Sequence, residues 1–449
     1  MAGSKALKSI VPPFVAALLT GFALFWGAAQ AQVSSAQFRT ESFMSQVSGY
    51  ARDRFTTGNQ LELLVDGPEF YPARQWMIQT ARQTIDLVTF LWCDDSSGLR
   101  LARLLAEKAR AGVRVRVIID LYNTKPHEQV YRTLRDSGVE LLEYNPVYWG
   151  LTRVLEHSLH EKMMIVDGEV ALLGSANLCD EYMVGGPRQL WHDLEVKVEG
   201  PQVARMQARY DENWNWMART DLQARFHNSR RLIDPALIPI FRPAGRIYRE
   251  PTPVVQSEAG SDSSLLVYQR AYRDRSLADD ILRLHELLID LSTTHLQIMT
   301  PYLVPPPSFV NALKRAAQRG VRVEIITNSP EKNDVWPAAF AALPKARGLI
   351  EAGVHVYEYQ PRMLHGKAML VDGAIISIGS HNFTNRSFTV NGEANLITTA
   401  PSITEEFARM VASDLLQCRV LTVPSIISRV RTFSQAGLAI ISEFLEEEI

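Results

Sequence analysis

HEKMMIVDGEVALLGSAN, residues 160–177, and HGKAMLVDGAIISIGSHN, residues 365–382, are two copies of one pattern. Each reads His-x-Lys, four residues, Asp, six residues, then Gly-Ser-x-Asn. Six fixed positions of about 5% usage each would coincide by chance about 10⁻⁸ times per starting site, so the pair is a duplication. Strand side chains alternate with period two, which places His160 with Lys162, and His365 with Lys367, on one face of a strand. Asp167-Gly168 and Asp372-Gly373 are hairpin signals. The returning strand then brings Ser175 and Asn177, or Ser380 and Asn382, beside the histidine and lysine.

Working outward, the segments preceding each motif also match. ARQTIDLVTFLWCDDSSGLRLARLLAEKARAGVRVRVIID (81–120) aligns with STTHLQIMTPYLVPPPSFVNALKRAAQRGVRVEIITN (292–328). Each holds an apolar strand, an amphipathic helix with three- and four-residue apolar spacing, a closing glycine (Gly112, Gly320) and a second strand. Two β-α-β units imply an α/β fold with a mostly parallel sheet and helices on its faces. The halves span 58–214 and 263–425. Between them 215–262 is a linker with prolines at 235, 239, 243, 251 and 253, and 426–449 reads as a helical tail.

The residue types suit phosphodiester chemistry. Histidine titrates near neutrality and can act as nucleophile or proton carrier. Two lysines, with Ser175, Asn177, Ser380 and Asn382 as donors, would offset charge on a phosphate's non-bridging oxygens. Each imidazole also needs a carboxylate to hold its tautomer. Glu393, 28 residues after His365, and Asp193, 33 residues after His160, are assigned that role. Asp167 and Asp372 occupy turn positions and are read as structural. His157, His192 and His381 lie close enough in sequence to touch substrate. Neither a metal site nor a cofactor site is visible in the spacing.

These residues resemble the duplicated His-x-Lys-x4-Asp signature of the phospholipase D superfamily, over about residues 58–420. The resemblance implies a pseudo-twofold α/β sandwich whose two halves share one active site without metal. Asn382-Phe-Thr-Asn385-Arg386-Ser387 with Asn391-Gly-Glu393, and Glu181-Tyr182 with Trp191-His192-Asp193, look like bacterial cardiolipin synthases. It therefore implies phosphatidyl transfer through a phosphohistidine, with phosphatidylglycerol as substrate. Plain phospholipase D hydrolysis, with water as acceptor, uses the same groups, and an exported nuclease is the alternative of another class.

The rest of the sequence bounds these readings. A formal net charge of −2 and a pI of about 6.6 disfavour nucleic acid as partner. Lys5 and Lys8, the apolar run Phe14–Trp26 and Ala29-Gln30-Ala31 read as a signal peptide or N-terminal anchor over 1–31. An exported protein, periplasmic or held at the membrane surface and acting as a monomer, is expected. Cys93, Cys179 and Cys418 are an odd number without metal spacing; they allow one disulfide at most, and are read as three buried thiols.

Overall fold

The computed structural model describes residues 36–51, 53–120, 128–144, 158–185, 189–228, 262–269 and 280–434. The expected signal segment 1–31, residues 229–261 of the linker, His157 and residues 435–449 of the tail lie outside the described residues.

The first half builds a seven-stranded sheet from β1 (Gln60–Val65), β2 (Thr84–Thr89), β3 (Arg114–Asp120), β4 (Glu140–Tyr144), β5 (Met163–Val166), β6 (Val170–Gly174) and β7 (Leu194–Glu199). Its order is β1-β7-β6-β5-β2-β3-β4. The second half repeats it with β8 (Ser264–Gln269), β9 (His295–Met299), β10 (Arg322–Asn328), β11 (His355–Tyr359), β12 (Ala368–Val371), β13 (Ile375–Gly379) and β14 (Glu393–Thr398). The order there is β11-β10-β9-β12-β13-β14-β8, with the short β15 (Cys418–Val420) added outside β11. Strand for strand the two sheets correspond.

The β-α-β units are parallel as expected: β2 with β3, and β9 with β10. The sheets as wholes are mixed rather than mostly parallel, because β5, β6 and β7, and β12, β13 and β14, run antiparallel to their neighbours. The Asp-Gly hairpins dictate the β5–β6 and β12–β13 pairs, since a two-residue turn can only reverse the chain. Asp167 and Gly168 both have positive φ (53° and 69°), as do Asp372 and Gly373 (51° and 65°), which fits a primed turn.

Apolar faces of the two sheets meet in a shared core. Leu173, Val196 and Val198 of the first half pack there with Leu266, Ile378 and Leu396 of the second. Helix Pro201–Asn228 enters this layer through Val203, Met206 and Tyr210, and helix Pro401–Leu415 through Ile403 and Phe407. The first helix runs past the expected boundary at residue 214. Outer helices cover the other faces, among them Ser96–Arg110 in the first half and Pro307–Gln318 in the second. Helix Glu41–Ala51 crosses over: its Phe43, Met44 and Val47 join the core of the second half, although it precedes the first in sequence.

Candidate active site

The His-x-Lys segments are extended but lie just before β5 and β12 rather than inside them. Their backbones pair with the opposite half. His160 N donates to Gly392 O at 2.7 Å, and Gly392 N donates to Ser158 O at 2.7 Å. The mirror contacts are His192 N to Met363 O at 2.8 Å and His365 N to His192 O at 2.6 Å. Each histidine strand therefore lies against the segment that carries the other half's carboxylate.

The side chains follow that exchange. His160 Nδ1 is 2.9 Å from Glu393 Oε2, and His365 Nδ1 is 2.8 Å from Asp193 Oδ2. Sequence spacing had placed each carboxylate near the histidine of its own half; the fold swaps them. With Nδ1 of both rings engaged, Nε2 is the nitrogen left for chemistry. Two interactions that sequence reading missed seat the histidines. Asp120 Oδ2 accepts from Leu159 N at 2.6 Å, and Asn328 Oδ1 accepts from Leu364 N at 2.8 Å. These residues end β3 and β10, so the duplicated β-α-β unit itself carries the positioning group.

Ser175 and Ser380 were expected on the phosphate but stand behind the carboxylates. Ser175 Oγ donates to Asp193, and Ser380 Oγ donates to Glu393 Oε2 at 2.6 Å. Close approach makes this possible: a Cβ on Gly174 would lie 2.4 Å from Leu194 O, and one on Gly379 would lie 2.3 Å from Ala394 O. Asn177 Nδ2 donates to the Tyr182 hydroxyl at 2.9 Å, while the side-chain oxygens of Asn177 and Asn382 are buried without a hydrogen-bond partner among the described residues. Asp167 and Asp372 instead bind backbone: Asp167 accepts from the amides of Arg82, Gln83 and Thr84, and Asp372 from those of Thr293, Thr294 and His295.

Lys162 Nζ donates to His160 O at 2.8 Å, and Lys367 Nζ donates to His365 O at 2.7 Å while lying 2.9 Å from both ring nitrogens of His365. Burial sets the protonation states. It pushes His160 down to about 4 against the pull of Glu393, and pushes His365 down to about 3 with help from the Lys367 ammonium. Burial holds Lys162 well below its ordinary range and brings Lys367 down to about 8. Burial alone would raise Glu393, but the His160 partnership keeps it at about 2; Asp193 is likewise lowered by His365 despite its burial. At neutral pH the ligand-free site thus holds neutral imidazoles against ionised carboxylates. Aromatic rings close the walls: Phe90 stands edge-on to His160 at 4.7 Å, and Tyr182 edge-on to His365 at 5.0 Å.

Two other histidines are structural. His381 is fully buried, 5.5 Å from His285 and 4.2 Å from Phe388 ring to ring. His192 lies between Asp66 Oδ1 (2.9 Å) and Asp414 Oδ2 (3.0 Å). Although burial opposes its charge, those two carboxylates raise it to about 9. It is a buried cation tying the first half to helix Pro401–Leu415.

The cysteines correct the sequence reading. Cys93 and Cys179 form a disulfide with Cα atoms 5.0 Å apart, and Cys418 is free and half-buried. The joining follows from topology, since Trp92 bridges Leu178 where the chain leaves β2 and β6. Among the described residues, Cys93, Asp95 and Cys179 are close enough to suggest a metal site. The two sulfurs are bonded to each other, however, and Asp95 caps a helix through Gly98 N.

Two imidazoles, each backed by a carboxylate from the other half and flanked by lysines, define an enzyme of the phospholipase D class. The family described as "Cardiolipin synthase, PLD-like domain" matches residues 76–214 and 287–415, and the chain belongs to it. It is 29% identical to cardiolipin synthase A of Pseudomonas entomophila over 81% of this chain and 70% of that one. It is 27% identical to the probable cardiolipin synthase YwiE of Bacillus subtilis over 82% of this chain and 68% of that one. In fold it is similar to a phosphatidylserine synthase of Haemophilus influenzae, with a TM-score of 0.66 at 15% identity over 90% of this chain and all of that one.

Proposed function

We propose that this chain transfers a phosphatidyl group from one phospholipid to a hydroxyl of phosphatidylglycerol. The exchanged histidine–carboxylate pairs carry the reading, because they occupy Nδ1 of each imidazole and leave one Nε2 from each half for a phosphate. His160 Nε2 attacks phosphorus; the phosphorus–oxygen bond to the head group breaks, and His365 gives its proton to the departing oxygen. The acceptor hydroxyl then loses its proton to His365 as its oxygen attacks, the phosphorus–nitrogen bond breaks, and His160 is released. An entering phosphodiester brings the negative charge that lets the buried His365 hold a proton. Lys162 and Lys367 offset the charge that builds on the non-bridging oxygens.

Export to an oxidising compartment, with the protein at a membrane surface, fits the Cys93–Cys179 disulfide and the N-terminal pattern of residues 1–31. Among the described residues no helix is long and apolar enough to cross a membrane. We further propose that the chain acts as a monomer, since both halves of the site come from it.

Purified protein incubated with phosphatidylglycerol vesicles, with products resolved by mass, tests the reading. Cardiolipin plus glycerol is expected, lost in both His160→Ala and His365→Ala and unaffected by EDTA. Phosphatidic acid as the sole product would assign plain hydrolysis instead.

A further inference from the structure

The mechanism leaves one polar pair at the site without a task. Tyr302 follows β9, and Asp334 lies in the loop before helix Trp336–Ile350. The Tyr302 hydroxyl donates to Asp334 Oδ1 at 2.7 Å. The loop is fastened close to His365: Asn328 Nδ2 and Asn333 Nδ2 each donate to Pro301 O at 3.2 Å, Asn328 Nδ2 also donates to Leu364 O at 2.7 Å, and Val335 N donates to Asn333 Oδ1 at 2.8 Å.

Asp334 is exposed to solvent, yet protein surrounds it closely enough that desolvation raises its carboxyl. The pair lies beside the active site: Tyr302 packs against the cluster that holds Tyr182 and Trp191, whose rings stand 5.0 Å and 5.5 Å from His365. The pair is one-sided. Thr300 Oγ1 donates to Tyr302 O at 3.0 Å as Thr89 Oγ1 donates to Leu91 O at 3.2 Å, so Tyr302 stands where the first half has an apolar leucine.

We propose that Tyr302 and Asp334 bind the hydroxyls of a neutral polyol head group, the glycerol end of the acceptor lipid, and hold one hydroxyl beside His365. The inference rests on the transfer reading above. A carboxylate and a phenol offer acceptors to vicinal hydroxyls, and the carboxylate repels a second phosphate from that spot. A polyol held there displaces water from the attacking position, which turns a hydrolase into a transferase.

The test is the ratio of cardiolipin to phosphatidic acid formed from phosphatidylglycerol vesicles by the full chain, Asp334→Asn and Tyr302→Phe. Both products arise from one phosphatidyl-enzyme, so the ratio is independent of how much protein is folded or how fast it turns over. At least a tenfold fall in the ratio is expected in each variant. An unchanged ratio in both overturns the proposal. So does a preference of the unmodified chain for phosphatidylethanolamine in mixed vesicles that Asp334→Asn abolishes. If the unmodified chain yields phosphatidic acid alone, the transfer reading itself fails, and this inference with it.

Discussion

At the scale of single residues, chemistry depends on which atom faces which partner. Glu393 and Asp193 fix Nδ1–H of the two imidazoles, so Glu393→Gln should impair His160, and Asp193→Asn should impair His365, with kcat lowered about 10²–10⁴-fold. A loss of less than threefold in single-turnover assays would remove the orienting role. Lys367 supplies a second prediction. Its ammonium, brought down to about 8 by burial, is present below that pH and lost above it. kcat/KM should therefore fall as pH rises through about 8, and Lys367→Arg should move that limb upward. The residue types were legible in sequence because their spacing is tied to strand period and hairpin length. The partners were not, since the exchange of carboxylates between halves arises only when two β-strand segments pair across the pseudo-twofold axis. Ser175 and Ser380 illustrate the cost of that blindness: they lie beside the histidine in sequence logic but behind a carboxylate in space.

At the scale of elements, local signals were reliable wherever the structure is local. The Asp-Gly turns, the β-α-β units and the helix-closing glycines were all readable from neighbours in the chain. Contacts over long sequence separation were not. The disulfide joins residues 86 positions apart, and nothing in the spacing marks them. It takes the place of Val304 and Thr384 in the second half, where Thr384 instead caps a helix through Ser387 N. In the chain-entropy account a loop of that length stabilises by about 4–5 kcal/mol. Cys93→Ser, or reductant, should accordingly lower the thermal midpoint, and identical melts with and without reductant would show the bond contributes nothing. Helix Glu41–Ala51 makes the same point from another side, because only tertiary packing decides that it covers the second half.

At the scale of the whole molecule, two corresponding sheets press their apolar faces together and leave the site at the seam. His192 is a fastener there, a cation shared by Asp66 and Asp414 and stacked 5.3 Å from Tyr359. Its folded pKa of about 9 exceeds the ordinary value of 6.5, so its stabilisation is complete below about 6.5 and disappears as pH rises through about 9. The stability difference between the unmodified chain and His192→Gln, read from urea unfolding, should shrink over that range. A difference constant with pH would contradict it. The seam was harder to read from sequence than either half, because it belongs to neither repeat. It is also what the function rests on, since neither half alone provides a histidine with its carboxylate.

The most direct measurement uses a phosphatidyl donor with a p-nitrophenol leaving group, which departs without an acid. With a denaturing detergent quench at mildly alkaline pH, which preserves the phosphorus–nitrogen bond, and peptide mass analysis, His365→Ala should accumulate a phosphatidyl adduct on His160 and release one equivalent of p-nitrophenol. His160→Ala should form neither. An adduct on any other residue, or steady turnover by His160→Ala, would contradict a phosphate held between the two imidazoles.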